Sequence, residues 1–343
     1  MIIFSIIGAL IGAGFASGQE MYLFFYRYGI YGILGLIACS TLIGTIIYKT
    51  FLIIYNNKKI NNYEQFLKHI FYSERKPPKY KYLNLSYISN FIVTIFLLIT
   101  FYIMISGFGA YFEQEFGISR IIGAIILATI SFFILLKDIE GVTKVNSIIV
   151  PVLIVVILII SWNNLRNINF LNIQTKINYN WIIQAIVYCS YNMILVIPVL
   201  VGLRKYIKNK KQITSVAIIS GVIVFILAIS IFLWLTNINE NIDNIQMPAV
   251  YVIDNSFPEF RVIYGIVILL SIFSTAISIG ISFINNITKD KKSFPQIVGI
   301  MCISSVLISN IGFSNLVKML FPVFGYLGII QIYFILKNKK EIK

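Results

Sequence analysis

Charge is what this sequence has least of. Of 343 residues only 12% are charged and only 13 are Asp or Glu, while 58% are hydrophobic. A soluble domain carries roughly a quarter charged residues, so this scarcity excludes one and indicates an integral membrane protein. Histidine occurs once, as His69 in a polar stretch, and the three cysteines, Cys39, Cys189 and Cys302, lie in separate apolar runs. Neither a metal cluster nor a disulfide framework can be drawn from them. HExxH, GxSxG and phosphate-loop patterns are missing, and carboxylates for acid-base chemistry are nearly absent from the apolar runs. These absences argue against an enzyme, a catalytic residue or a resident cofactor. The first apolar run starts at Met1 with no basic region or small-residue cleavage site before it, which reads as a retained span rather than a signal peptide.

What the chain does have is apolar length. A bilayer core takes roughly 20 helical residues, and the apolar runs predict about ten transmembrane helices, at 1–25, 31–55, 85–111, 119–136, 142–161, 181–203, 213–236, 260–286, 294–312 and 315–336. The fold class is therefore all-α. A polar segment at 56–84, carrying Pro77 and Pro78, and an acidic one at 237–259 separate some of them. Asn62 to Phe71 and Pro248 to Asp254 show helical apolar spacing and predict short surface helices.

The net charge of +15, from 28 Lys and Arg, would suggest a nucleic-acid partner in a soluble chain. In a membrane chain it reports orientation, because basic residues are retained on the cytoplasmic face. With the N-terminus inside, alternate loops leave only Arg27, Arg120, Arg166, Lys176, Arg261 and Lys318 outside or near the outer face. The expectation is a multi-pass plasma-membrane protein with both termini cytoplasmic, whose basic loops bind no nucleic acid and have some affinity for anionic lipid. Oligomeric state stays open.

Span starts at 1, 31, 85, 119 and 142 pair with 181, 213, 260, 294 and 315. That divides the chain into five-helix units at 1–161 and 181–336, followed by a basic tail at 337–343. An odd number of spans per unit forces the second to be inverted, and inverted repeats mark secondary transporters with midplane sites between broken helices. Evenly spaced hydrophobic runs look periodic in any ten-span protein, so spacing alone leaves both possibilities standing.

Local chemistry separates them. The first span holds Gly8, Gly12, Gly14 and Gly18, then Gln19 and Glu20. Four glycines weaken a helix, and unwound backbone is tolerated in lipid only where it lines a cavity or protein interior. A break here would aim freed N–H groups at an anion and freed carbonyls at a cation. The competing reading is a small-residue packing face, which does not account for Gln19 and Glu20.

The string Ile11-Gly12-Ala13-Gly14-Phe15-Ala16-Ser17-Gly18-Gln19-Glu20 resembles the first-helix signature of the YkvI-type bacterial membrane proteins. More remotely, Gly8 to Gly14 resembles the glycine-rich first helix of the amino acid-polyamine-organocation superfamily. That resemblance implies a LeuT-like five-plus-five inverted repeat with broken helices 1 and 6, carrying amino acids or similar small solutes. It also implies a sodium site from the carbonyls of Gly8 and Ile11 with Ser271, Ser274 and Thr275. Ser271, Ser274, Thr275 and Ser278 do form one polar stripe at helical spacing, and oxygen ligands suit a hard cation; such hydroxyls equally often bond their own helix. Phe15 stands where a second sodium site would need Asn, and the fifth span offers Lys144 only at its cytoplasmic end, which tilts against a Lys-based proton mechanism.

For the substrate, backbone N–H groups around Gly12, Ala13, Gly14 and Phe15 would hold a carboxylate. The second break is expected at Tyr188-Cys189-Ser190-Tyr191-Asn192, with Ser190 or Asn192 facing substrate and Phe15, Tyr188 and Tyr191 forming an apolar wall. Intramembrane charges are functional candidates, and Glu20 and Lys318 are expected to form an external gate, unless Glu20 binds a substrate amine or a proton. The function these features imply is a secondary active transporter of a small amino-acid-like solute, coupled to one sodium ion. A receptor that binds the ligand without net flux, and a proton-coupled transporter using Glu20, stay open as alternatives; a channel would need rings of polar residues.

Overall fold

The structure, a computed structural model, describes residues 1–72, 84–164, 168, 173, 179–238, 242, 245, 247–288, 292–309 and 313–338, with only the backbone of Gln114 and of 313–318. Its described residues form helices and their connections, with no strand. In chain order the α-helices are α1 (Ile2–Leu10), α2 (Ala13–Ala16), α3 (Gln19–Phe24), α4 (Ile30–Asn56), α5 (Tyr63–Tyr72), α6 (Leu85–Phe116) and α7 (Arg120–Leu135). They continue with α8 (Asp138–Asn164), α9 (Asn180–Gly202), α10 (Lys210–Trp234), α11 (Pro248–Ser256), α12 (Arg261–Ile287), α13 (Phe294–Ile308) and α14 (Phe313–Lys337).

Apart from the first, the apolar runs form helices, and local chemistry sets the ends. Asn84 accepts the Ser86 N–H to cap α6, which stops at Gly117 in the left-handed conformation (φ 63°). Asn209 accepts the Gln212 N–H at the start of α10, and the Gln212 side chain reaches back to the Lys208 N–H, so two orphan donors are satisfied together. The surface helices expected in the polar segments are α5 and α11.

Seven of these helices are long and apolar enough to cross a membrane. Two apolar helices are shorter, α7 with 16 residues and α13 with 15, or about 22–24 Å at ~1.5 Å per residue. In α9, 89% of the apolar window is buried, against 28% in α8. α9 therefore lies at the centre and α8 at the rim, where Ile148 and Trp162 point outward with Ile300 and Leu307 of α13. In lipid such exposure costs nothing, because the surroundings are as apolar as the side chains.

The first apolar run is not one helix. α1 ends at Leu10, Ile11 and Gly12 are non-helical (Gly12 φ −92°, ψ −171°), α2 lasts four residues, and Gly18 turns left-handed (φ 78°) before α3. The break expected in the sixth span is absent, since α9 runs unbroken from Asn180 to Gly202. The reason is local: between Ala185 and Ile197 there is no glycine or proline, and the polar groups thought to mark an opening bond their own helix. Ser190 donates to the Ile186 carbonyl at 2.7 Å and Asn192 to that of Tyr188 at 3.0 Å. These i to i−4 bonds decorate a continuous ladder rather than replacing it.

Candidate functional site

A broken helix leaves carbonyls that need donors, and in the first segment each described partner can be named. The hydroxyl of Thr275, on α12, lies 2.8 Å from the Gly8 carbonyl and 2.9 Å from that of Ile11. Tyr264, also on α12, donates to the Ala16 carbonyl. The Ala249 N–H of α11 donates to the Ser17 carbonyl at 2.9 Å, and the Ser17 hydroxyl to that of Gly14 at 3.2 Å. α12 and α11 thus hold the interruption open.

Three oxygens, two carbonyl and one hydroxyl, converge at Thr275. Ser274 is beside them: its Oγ lies 2.3 Å from where a Cβ on Gly8 would be, so only glycine admits it. Asn146 of α8 completes the cluster, accepting from Ser274 at 3.0 Å through Oδ1 and donating to Ser278 at 2.8 Å through Nδ2. The Ser271 hydroxyl turns to its own helix, donating to the Ile268 carbonyl at 2.8 Å. Gly8, Ile11, Ser274 and Thr275 therefore come together, while Ser271 could join them only through its backbone. Asn146 was missed in the sequence, although a lone buried amide in the apolar run of α8 was the signal for it.

Farther along the segment, Glu20 is 4% exposed and folds back onto the break. Its Oε1 lies 2.2 Å from an ideal Cβ on Gly14, with Cδ and Cγ at 2.9 Å. The Tyr188 and Tyr191 hydroxyls lie beside the carboxyl group and interact with it. The rings of Phe24, Tyr188 and Tyr191 pack against one another, with centroids 5.2 to 5.6 Å apart, and Phe321 stacks on Tyr191 at 4.9 Å. Phe15 is buried near the break (2% exposed). The Ser190 carbonyl faces Gly328 of α14, 2.9 Å from its ideal Cβ, so α9 and α14 approach closely there. The Lys318 side chain lies outside the described residues, and with it the expected pairing to Glu20.

A polar cavity of about 770 Å³ opens between the start of α8 and the C-terminal ends of α9 and α12, bordered by Asp138, Pro198, Arg204, Lys205, Ser282 and Asn285. Two contacts brace its rim. Lys205 pairs with Glu140 at 2.9 Å, and Arg204 clasps the Lys58 and Ile60 carbonyls and the Asn61 side chain. Ser282, at the cavity wall, donates to the Ser278 carbonyl, and Ser278 to that of Ser274. This polar stripe leads along α12 for about 10 Å, seven residues at ~1.5 Å each, up to Thr275. The other end is covered: Gly18 packs against the Ala249 backbone, and Arg261 bridges Glu115 at 3.0 Å and Asp254 at 3.4 Å.

No protein-family model matches the chain. It is similar to two proteins of Bacillus subtilis (strain 168): the uncharacterised membrane protein YkvI, 26% identical over 342 residues that cover 95% of this chain and 92% of that one, and the uncharacterised protein YyaD, 24% identical over 331 residues covering 94% and 92%. The chain is homologous to these proteins, as its first-span string suggested. Its fold is similar to that of a nucleobase-cation-symport-1 family transporter solved in a closed conformation with bromovinylhydantoin bound, with a TM-score of 0.56, 10% identity, and coverage of 96% of this chain and 74% of that one. The fold is thus of the LeuT-like class.

Proposed function

We propose that the chain is a secondary active transporter of a small amino-acid-like or related organic solute, coupled to one sodium ion and working by alternating access. The observation that carries this reading is the convergence of the Gly8 and Ile11 carbonyls on Thr275 at an unwound point held inside a membrane protein. Unwound backbone at such depth is costly and persists where it lines a site. Carbonyl and hydroxyl oxygens suit a hard monovalent cation, and Ser274 is close enough to join them.

In this reading the two fives form an inverted repeat spanning the plasma membrane ten times, with both termini cytoplasmic. The helix contacts support it, because exchanging the units maps one pairing onto another. α1 against α8 corresponds to α9 against α14, α1 against α12 to α9 against α6, and α8 against α10 to α14 against α4. The two short helices, α7 and α13, occupy equivalent fourth places in the two units. The transporter similar in fold belongs to a cation-symport family by its name, and the coupling is carried to this chain as part of the proposal.

The asymmetry between the ends supports an inward-facing arrangement: a polar cavity meets the stripe at Ser282 on one side, and α11 covers the break on the other. The test is uptake into proteoliposomes under an inward sodium gradient. Accumulation that collapses with the gradient, and that Thr275→Val abolishes, is the expected result. Substrate flux indifferent to sodium would remove the ion from the mechanism, and saturable binding without flux would make the protein a receptor.

A further inference from the structure

The exposed side of the α4 and α10 pair carries a second cavity, an apolar groove of about 560 Å³. Two glycines make its floor. The Ala217 carbonyl lies 3.2 Å from an ideal Cβ on Gly44, and the Ser40 carbonyl 3.1 Å from one on Gly221, so the backbones touch, as small residues allow between membrane helices. Ile37, Tyr48, Ile218 and Phe225 stand around that floor as walls. The pairs 44 with 217 and 40 with 221 make the helices antiparallel, which brings Tyr48 beside Thr214 at one end of the groove and Ile37 beside Phe225 at the other.

We propose that this groove holds one acyl chain of an anionic phospholipid, whose phosphate is bound by Lys210 and Lys211. Three observations support it. First, the serine and threonine hydroxyls of the lining are taken up by their own helices. Ser40 and Thr41 donate to the Ile37 carbonyl, Thr45 to that of Thr41 and Thr214 to that of Lys210, at 2.8 to 3.2 Å. What remains for an occupant is an apolar surface, suited to a hydrocarbon chain and not to a polar solute. Second, the groove runs from 37 to 48 on α4 and from 214 to 225 on α10, or about 16 Å at ~1.5 Å per residue. That is half of a ~30 Å hydrocarbon core, the depth of an acyl chain in one leaflet. Third, Lys211 continues the helical stripe of 214, 218, 221 and 225 by one turn past the Tyr48 end, with Lys210 beside it. Both lysines are exposed, and among the described residues neither joins an ion pair. Two cations at the mouth of an apolar groove complement a lipid phosphate, and a zwitterionic lipid offers the same chain without the net charge. The groove is separate from the break in the first segment, so the inference stands apart from the transporter reading.

The test reads the lipid in the groove directly. Ile218, a wall residue 60% exposed, is replaced by Trp in the full chain, the protein is reconstituted into mixed bilayers, and the fluorescence added over wild type is quenched with lipids brominated in mid-chain. Brominated phosphatidylglycerol is expected to reach half-maximal quenching at a mole fraction about tenfold below that of brominated phosphatidylcholine, a ratio within what two lysines near the surface supply. Val155→Trp, at a 54% exposed position of α8, should show no such preference. Replacing both lysines, Lys210→Gln with Lys211→Gln, in the Ile218→Trp background should bring the two curves together. Thr41→Phe in the same background fills the groove and leaves the lysines in place, and it too should erase the preference. A preference that survived Thr41→Phe would be headgroup attraction to a basic surface only, and would overturn the acyl-chain site. Equal curves for the two lipids in Ile218→Trp overturn the proposal, and so does quenching by neither, the result expected if a second copy of the chain covers the groove.

Discussion

The first segment and α9 both carry polar residues inside apolar runs, yet only the first is interrupted. The first segment has glycine at 8, 12, 14 and 18, and its freed carbonyls are taken up by Thr275, Tyr264 and Ala249 from neighbouring helices. The α9 segment has Ser190 and Asn192 where glycine would be needed, and both bond their own i−4 carbonyls. Polarity in a membrane helix therefore does not open it. Opening requires residues whose backbone loses little by unwinding, together with donors on another element to accept the consequences.

Substitutions should separate the two segments sharply. The largest effect is expected for Gly8→Val, which drives a branched side chain into Ser274 and Asn146, whose atoms already lie 2.3 and 2.8 Å from an ideal Cβ. Overpacking of this kind costs about 1–3 kcal/mol, and this change belongs at the upper end, so the melting temperature should fall and stabilisation by sodium disappear. Thr275→Val keeps the shape but strips the donor from two buried carbonyls, for about 1–3 kcal/mol, again with loss of the sodium response. The matching change in α9, Ser190→Ala, removes a hydroxyl that bonds only its own helix and should cost less than about 1 kcal/mol. If Ser190→Ala destabilised as much as Thr275→Val, the contrast between an open and a closed segment would be wrong.

The glycines made the first break legible, since they carry their conformational freedom in the sequence, and the i, i+3, i+4 spacing of Ser271, Ser274 and Thr275 pointed to one helix face. The unbroken α9 was not legible, because whether a serine hydroxyl bonds its own turn or a ligand depends on rotamer and neighbours. Asn146 escaped for a related reason: its value lies in meeting Ser274 and Ser278 across helices, 128 and 132 residues away. The position of Glu20 over Gly14 depends on the left-handed turn at Gly18, which reverses the chain just enough to bring residue 20 back. Composition announced a carboxylate in the span but could not say that it would face its own backbone.

The smallest effect belongs to the C-terminal end of α9, where the contacts are exposed. Lys205 hydrogen-bonds Glu140 at 2.9 Å and, with a further contribution from Lys144, holds its carboxyl group below the ordinary value of 4.5. A carboxylate whose folded pKa is depressed adds stability above its unfolded value, and that stability is lost as pH falls through the lower folded one. The pair should therefore remain intact at neutral pH and open only on acidification below about 4.5. Both side chains are largely exposed, at 45% and 62%, so salt should screen the attraction as effectively as acid removes it. Melting curves of the wild type and Glu140→Gln, compared across pH and ionic strength, should differ slightly at neutral pH in dilute buffer and coincide at acid pH or in concentrated salt. A difference that survived concentrated salt would place the pair among the buried contacts of the molecule, and the cavity rim would then be a fixed wall instead of a surface free to part.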